Sequence, residues 1–189
     1  MILFVSGLLI FLAVHSISIV ARPWRDEKLA SLGEPVWKGL YTVISLAAFA
    51  LMCHGYGMTR LEPVVLYQPP GALRHLALAL FLPVFPLVLC VYLPGRLKAT
   101  AKHPLLVATK LWALAHLLVN GALADVLLFG GFLAWAVVDR IAVKKRPETV
   151  IVLGPQAMRN DLIAIAGGVL VYAIFVFWLH RALIGVAPL

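Results

Sequence analysis

Charged residues are scarce in this chain. Of its 189 residues, 16 are Lys or Arg and 8 are Asp or Glu, so 13% are charged while 63% are hydrophobic. In soluble globular domains roughly a quarter of all residues are charged, so this composition excludes an ordinary soluble domain. The net charge of +8 is divided among loops between apolar segments, and no nucleic-acid-binding motif is present. We therefore expect membrane lipid, through its anionic headgroups, and no nucleic acid as the partner of these charges.

Cysteine is nearly absent. Cys53 and Cys90 fall near opposite ends of their predicted helices, roughly 15 Å or more apart in depth, which is too far for a disulfide bond. Neither residue belongs to a Cys-x-x-Cys-His motif, so covalent haem attachment is not indicated. We expect both to be buried apolar side chains.

Familiar catalytic signatures are also missing. The chain has no Gly-x-Ser-x-Gly, no His-Glu-x-x-His and no phosphate-binding loop, and no pair of carboxylates lies in the predicted membrane interior. Acyl transfer, metalloprotease chemistry and nucleotide hydrolysis are therefore poorly supported. The first apolar segment lacks a basic leader and an Ala-x-Ala-like site, so we interpret it as a retained span and not as a secretory signal.

What the chain has is a series of long apolar runs. A helix needs about 20 apolar residues to cross roughly 30 Å of hydrocarbon, and six runs approach that length. The predicted fold is therefore all-α, a single integral membrane domain over residues 1–189 with six transmembrane helices. The predicted spans are residues 2–20, 38–58, 73–93, 104–119, 124–143 and 162–185.

The basic residues predict the orientation of these spans. Lys and Arg residues are retained in cytoplasmic loops, and twelve of the sixteen follow the first, third and fifth spans. Three others lie on the opposite side, and Lys110 lies within a span. Both termini are therefore predicted to lie outside the cytoplasm. The twelve are Arg22, Arg25, Lys28, Lys38, Arg96, Lys98, Lys102, Arg140, Lys144, Lys145, Arg146 and Arg159, against Arg60, Arg74 and Arg181.

Two spans have irregular features. Pro83 and Pro86 interrupt the third span, and each proline removes a hydrogen-bond donor, so we expect a kink there. The fourth span is only just long enough to cross a bilayer. Asn120-Gly121 predicts a tight turn that makes the fourth and fifth spans a hairpin.

The fourth span carries polar side chains that are costly in hydrocarbon. At 100° per residue, Trp112, His116 and Asn120 share one face, and Lys110 lies on a different one. Polar groups in two directions predict a helix surrounded by protein. Lys110 has two interpretations: it extends to the membrane surface, or it pairs with Asp139 on the fifth span.

The six histidines divide by depth. His54, His75 and His180 fall near the outer ends of their helices, where a solvated imidazole is expected, and His103 precedes Pro104 as a structural cap.

Only His15 and His116 lie deep in the predicted bilayer, and a buried imidazole needs a hydrogen-bond partner or a metal. Ser18 and Arg22 share the His15 side of the first helix. Two imidazoles on different apolar helices suit a haem held axially, and a structural role for each remains the alternative.

Several motifs also identify the chain as similar to a known family. It closely resembles the NnrU family of bacterial membrane proteins over nearly its whole length, to about Arg146. The matching stretches are Val14-His15-Ser16, Trp37-Lys38-Gly39-Leu40-Tyr41, Gly55-Tyr56-Gly57, Tyr92-Leu93-Pro94-Gly95-Arg96, Lys102-His103-Pro104, residues 110–121 and residues 129–136. The family is similar in turn to plant cis-ζ-carotene isomerase, a membrane protein that uses b-type haem.

The resemblance implies a site and a setting. His15 in a His-Ser pair and His116 in a Trp-x-x-Ala-His run look like the suggested haem ligands of the isomerase. Ala113 stands where the isomerase carries a cysteine, so ligand exchange is not expected here. The resemblance implies haem b, the bacterial inner (cytoplasmic) membrane, and a link to nitrogen-oxide or denitrification metabolism or to haem-dependent isomerisation or redox chemistry.

The predicted site combines the resemblance with helix geometry. Lys110 or Arg22 would pair with a haem propionate, Trp112 would line the macrocycle, and Asn120 shares the His116 face. His15 and His116 differ by roughly 6–10 Å in predicted depth, so ligation of one iron by both requires helix tilt, and otherwise only one of them binds iron.

Two other function classes stay open. One is a non-catalytic factor that assembles a partner such as a membrane reductase. The other is an integral-membrane S-adenosylmethionine-dependent methyltransferase, because Lys102-His103-Pro104 faintly resembles an Arg-His-Pro motif of such enzymes, although Leu105 and Leu106 replace the Tyr and Gly that follow it. A hydrophobic small molecule is a further candidate ligand.

Overall fold

The computed structural model describes residues 1–145 and 157–188. Arg146, which the charge pattern assigns to a basic loop, lies outside the described residues. Within them the chain is helical, and the extended structure is limited to one isolated antiparallel bridge between Val65 and Ala122. The all-α prediction is therefore confirmed for the described residues.

The helices follow one another with short links. They are α1 (Ile2–Val20), α2 (Arg22–Leu32), α3 (Glu34–Thr59), α4 (Leu73–Phe81), α5 (Val84–Leu89), α6 (Arg96–Ala101), α7 (Pro104–Leu117), α8 (Leu123–Lys144), α9 (Met158–Ile174) and α10 (His180–Ile184). A π-helical turn, Phe175–Leu179, joins α9 to α10. Prolines in the first turn begin α2, α3 and α7, where the missing N–H costs no helical hydrogen bond.

Four helical segments are long and apolar enough to cross a membrane: Ile2–Val20, Glu34–Thr59, Leu123–Lys144 and Met158–Ile184. The other two predicted spans are shorter in the structure. Leu73–Leu89 and Pro104–Leu117 correspond to about 25 Å and 21 Å of helix at 1.5 Å per residue. The described residues thus support four full spans and two shorter apolar helices.

The third predicted span is broken, as its prolines indicate. Helix α4 ends at Phe81 and α5 begins at Val84. Pro86 of α5 lies so close to Gly168 of α9 that a side chain at position 168 would overlap the Pro86 backbone. The kink therefore brings two backbones together and leaves no cavity at that point.

The remaining helices pack around two contact surfaces. Helix α1 runs antiparallel to α3, and α8 packs beside α1, so that Phe4, Leu8, Met52 and Ala124 form one buried cluster. Helices α5, α7 and α9 form a second cluster around Val84, Leu87, Cys90, Ala108 and Ala164. Helix α7 contacts α4, α5 and α8, but Leu105 and Leu114 of this helix are exposed. The prediction that protein surrounds the fourth span is therefore confirmed only in part.

The Asn120-Gly121 turn is also confirmed. Gly121 O accepts hydrogen bonds from Leu66 N at 2.8 Å and Tyr67 N at 3.2 Å, so the loop after α3 is fastened to the turn between α7 and α8. The Tyr67 hydroxyl donates to the carbonyls of Leu117 and of Asn120. These bonds satisfy carbonyls that the end of α7 leaves without helical partners.

The cysteines are both free, as expected. Cys90 is buried and its thiol donates to Leu87 O at 3.2 Å. Cys53 is exposed, so the expectation that it is buried was wrong. It lies on the outward face of α3, where an apolar thiol needs no protein cover if lipid surrounds the helix.

Candidate functional site: two imidazoles in separate aromatic surroundings

His15 lies near the middle of the contact between α1, α3 and α8. Its Nδ1–H donates to Phe11 O at 2.8 Å. The lone pair of the neutral ring is therefore on Nε2. The imidazole stacks on Phe11, with ring centroids 4.1 Å apart, and meets Tyr41 at 5.3 Å and the edge of Trp135 at 6.2 Å. His15 is therefore held by aromatic rings from three helices.

Trp135 has an unusual feature. Its indole Nε1–H is buried and has no hydrogen-bond partner in the described part of the chain. Buried donors are nearly always paired, and an unpaired one costs about 1–3 kcal/mol. The donor beside His15 therefore points to a polar ligand atom or water at this position.

His116 lies in a second aromatic cluster toward the opposite end of the bundle. Phe129 stacks on it at 4.2 Å, and Phe81 and Trp112 present edges at 5.0 and 5.5 Å. Asn120 Nδ2 lies 3.3 Å from His116 Nδ1 and donates to His116 O at 2.9 Å. The predicted shared face of Trp112, His116 and Asn120 is confirmed.

The structure does not bring His15 and His116 together. Aromatic rings lead from one to the other: Phe11 lies 5.7 Å from Phe132, and Phe132 lies 5.5 Å from Trp112. Since Trp112 contacts His116 and Phe11 contacts His15, these three rings link the two imidazole sites. Phe129 and Trp135, which contact His116 and His15 respectively, lie six residues apart on α8, or about 9 Å along its axis. Ligation of one iron by both imidazoles would therefore require the helices to move.

His180 is the residue that sequence reasoning missed. It was expected to be a solvated imidazole, yet its ring centroid lies 6.4 Å from that of His116, with 27° between the planes. No pattern in the sequence predicts this contact. The turn directly before His180 is π-helical, and such turns have no simple sequence signature.

Lys110 and Arg22 differ in their surroundings. Within the described residues Lys110 has no hydrogen bond or ion pair, so the proposed Lys110–Asp139 pair is absent. Asp139 instead acts on His103: burial lowers the pKa of His103, Arg140 lowers it further, and Asp139 opposes them. Arg22 Nε lies 3.7 Å from Asp26 Oδ2.

Arg22 also lines a groove of about 400 Å³ between α1 and α8. The groove lies one to two helical turns from His15 and Trp135, toward the end of the bundle that holds Lys144 and Lys145. Its residues are Ser18, Ile19, Arg22, Val138, Ile141, Ala142 and Lys145. An apolar wall with an arginine and a lysine at its mouth suits an amphipathic anion.

A family model described as NnrU protein matches residues 3–188, nearly the whole chain. The chain belongs to the NnrU family. The match extends well past Arg146, where the resemblance in the sequence motifs ended, so α9 and α10 belong to the family unit as well. No curated protein and no solved structure matches the chain.

The part of this NnrU-family chain that the structure describes thus contains the His15 and His116 sites and a basic groove. Within the described residues no group of three or more His, Cys, Asp and Glu side chains could hold a metal ion.

Proposed function

We propose that this NnrU-family protein is a multi-pass membrane protein that binds haem b between α1 and α8, with His15 as the one protein ligand of the iron. The observation that carries the proposal is the hydrogen bond from His15 Nδ1–H to Phe11 O, at 2.8 Å. Metal-binding histidines commonly donate one ring N–H to a carbonyl, which fixes the tautomer and leaves the other nitrogen for the metal.

The surroundings of His15 support an apolar planar ligand. Phe11, Tyr41 and Trp135 border the imidazole, and haem sites are commonly lined by apolar and aromatic side chains. The unpaired Nε1–H of Trp135 is a donor for a polar atom of the bound molecule.

The groove has basic side chains that would bind the two carboxylates of a haem. Arg22 lies seven residues after His15 in α1, about 10 Å along the helix axis, and Lys145 closes the groove from α8. A guanidinium and an ammonium at this distance would pair with propionates. Arg22 is thus the favoured propionate partner of the two that the sequence suggested, because Lys110 does not line the groove.

We propose one protein ligand for the iron. His116, the second ligand that the resemblance implies, lies in a different aromatic cluster, which Phe11, Phe132 and Trp112 link to that of His15. When bound, haem would supply one-electron chemistry at a metal centre. The chain's own contribution would be to bind and orient the group through His15 and Arg22, and to keep water away through Phe11 and Trp135. This is consistent with redox or isomerisation chemistry in nitrogen-oxide metabolism.

The visible spectrum of the detergent-purified protein, grown with sufficient haem, tests this function. We expect a Soret band that His15→Ala removes and that His116→Ala and His54→Ala keep. Replacing Arg22 and Lys145 by Gln should weaken haem retention without removing the band. A wild-type protein without a Soret band would overturn the proposal, and a band lost only in His116→Ala would assign the ligand to the other site.

We also propose that the basic end of the bundle faces the cytoplasm of a bacterial inner membrane, with both termini outside. What supports this is the distribution of Lys and Arg described above. Reporter fusions to the carboxyl terminus test it: alkaline phosphatase should be active and green fluorescent protein dark. The opposite result would reverse the orientation without affecting the haem proposal.

A further inference from the structure

We propose that His116 and His180 form a second metal site, which binds one divalent transition-metal ion of the Zn²⁺ or Cu²⁺ class through the Nε2 atoms of the two imidazoles. The proposal does not rest on haem binding, because it uses neither His15 nor the groove between α1 and α8. Imidazole nitrogen is a preferred ligand of both ions.

The separation of the two rings supports this site. Their centroids lie 6.4 Å apart. Two imidazole nitrogens at about 2.0–2.1 Å from one ion place the ring centroids roughly 6.5 Å apart when the two ligands are opposite each other, and roughly 5 Å apart in a tetrahedral site. The rings already have the first spacing, and they must approach by about 1 Å for the second. Little rearrangement is therefore needed to place one ion between His116 and His180.

The hydrogen bonds of the rings leave the same atom available on each. His180 Nδ1–H donates to Val186 O at 2.6 Å, so the lone pair of the neutral ring is on Nε2. In His116 the Nδ1 atom faces the Asn120 amide at 3.3 Å, and only Nε2 is left for the partner ring. His180 therefore has the usual arrangement of a metal-bound histidine, in which the other ring N–H donates to a carbonyl. His116 differs, because its Nδ1 accepts from the Asn120 amide, so the ring proton must leave Nε2 before an ion binds there.

The helix changes from α-helical to π-helical geometry just before His180. The π-helical turn Phe175–Leu179 ends at His180, and such turns are rare and are frequently found at functional sites. The extra residue of a π turn rotates the side chains that follow it relative to an unbroken helix. We attribute the approach of His180 to His116 to this turn.

Aromatic rings border both imidazoles. Phe129 and Phe81 contact His116, and Phe175 presents its edge to His180 with centroids 6.0 Å apart. These side chains offer no competing ligand atoms. The remaining coordination positions of the ion would be filled by water or by an exogenous ligand, which is typical of sites that do chemistry or exchange their ligands.

Asn120 provides a sharp test of the role of His116. Its Nδ2 donates to His116 O at 2.9 Å, and so its contact with His116 Nδ1 is also that of a donor. An ion at Nε2 would move the ring proton of neutral His116 to Nδ1, where a donor is unsuitable. A carboxylate at position 120 would accept that proton, so Asn120→Asp should bind the ion about tenfold more tightly or better.

The experiment measures binding of Zn²⁺ to the full-length protein, purified in detergent through a tag without histidine, by competition with a chromophoric chelator. Cu²⁺ bound in its place should show nitrogen coordination in its electron paramagnetic resonance spectrum. We expect one ion per chain and a loss of at least about tenfold in affinity for His180→Ala and for His116→Ala. His54→Ala and His75→Ala are matched controls, because both histidines are exposed.

The decisive variant is His180→Ala, since His116 packs against Phe129 and its removal is expected to loosen the fold. Unchanged Zn²⁺ affinity in a folded His180→Ala protein would overturn the proposal, as would an equal loss in His54→Ala. The two proposals fail separately: His15→Ala should lose the Soret band and still bind Zn²⁺, whereas His180→Ala should keep the Soret band.

Discussion

Gly55 of α3 packs directly against the backbone of Phe4 in α1. A Cβ atom at position 55 would overlap the Phe4 N and Cα atoms, and one at Gly7 would overlap the backbone of Met52. Close approach of helix backbones at small residues is a main source of helix association in membranes, where hydrophobic burial contributes little. These two glycines therefore set the α1–α3 contact on which His15, Tyr41 and Phe11 depend.

Gly55→Ala should destabilise the protein by about 1–3 kcal/mol, because the added methyl group forces the two helices apart. Gly57→Ala is the matched control: it lies on the same helix with no atom within 4 Å of its Cβ position. Since alanine favours helix over glycine by up to about 1 kcal/mol, this control should be neutral or stabilising. Thermal unfolding in detergent measures both, and equal melting temperatures would contradict the proposed contact.

Asp125 joins α3 to the start of α8. Its carboxylate accepts a hydrogen bond from the Tyr56 hydroxyl and another from Ala122 N, the latter at 3.2 Å. Asp125→Ala removes both bonds and should cost about 1–3 kcal/mol, whereas Tyr56→Phe removes only one and should cost less. The double variant should be less destabilised than the sum of the two. Strict additivity would show that Tyr56 and Asp125 do not interact.

Asp161 of α9 caps the first turn of α6, although the two are far apart in sequence. Its two carboxylate oxygens accept from Arg96 N and Leu97 N, both at 2.9 Å, which satisfies donors at the first turn of that helix. Asp161→Ala should lower stability by about 1–2 kcal/mol, with Asp161→Asn in between. Hydrogen exchange at the amides of Arg96 and Leu97 checks this, and protection unchanged in Asp161→Ala would contradict it.

His103 predicts a pH dependence of stability. Burial lowers its pKa from the ordinary value, with Arg140 and Lys102 adding to the effect and Asp139 opposing it. Since the folded state favours the neutral imidazole, this contribution is complete above the unfolded pKa of about 6.5 and is lost as the pH falls toward the lower folded pKa. His103→Gln should therefore flatten the decline of the melting temperature between about pH 7 and pH 5, and an unchanged decline would assign it to other groups.

Much of the helical layout was predictable because it depends on local features. Pro83 and Pro86 break the third span where the missing donors require it. Asn120-Gly121 lies in the turn between α7 and α8, as expected. The face shared by Trp112, His116 and Asn120 follows from helix periodicity alone. Depth along a helix was less certain, because it assumes that each segment lies straight across the bilayer.

The contacts between helices were not predictable in the same way. The sequence placed His15 and His116 roughly 6–10 Å apart in depth. It did not indicate that the two rings would lie in separate aromatic clusters, which Phe11, Phe132 and Trp112 link. His180 was taken for a solvated residue, since nothing in Phe175–Leu179 indicates a π turn. The Lys110–Asp139 pair failed for a related reason: similar depth does not imply facing side chains.

Composition and the length of its apolar runs were enough to determine that this protein is helical and built for a membrane, since each helix satisfies its own backbone hydrogen bonds in hydrocarbon. Which imidazoles meet was decided only by the tertiary structure. Close backbone contacts at Gly7, Gly55 and Gly168 and the π turn before His180 fix the rotation of each helix against its neighbours. That rotation is a property of packed surfaces and cannot be read from any one segment.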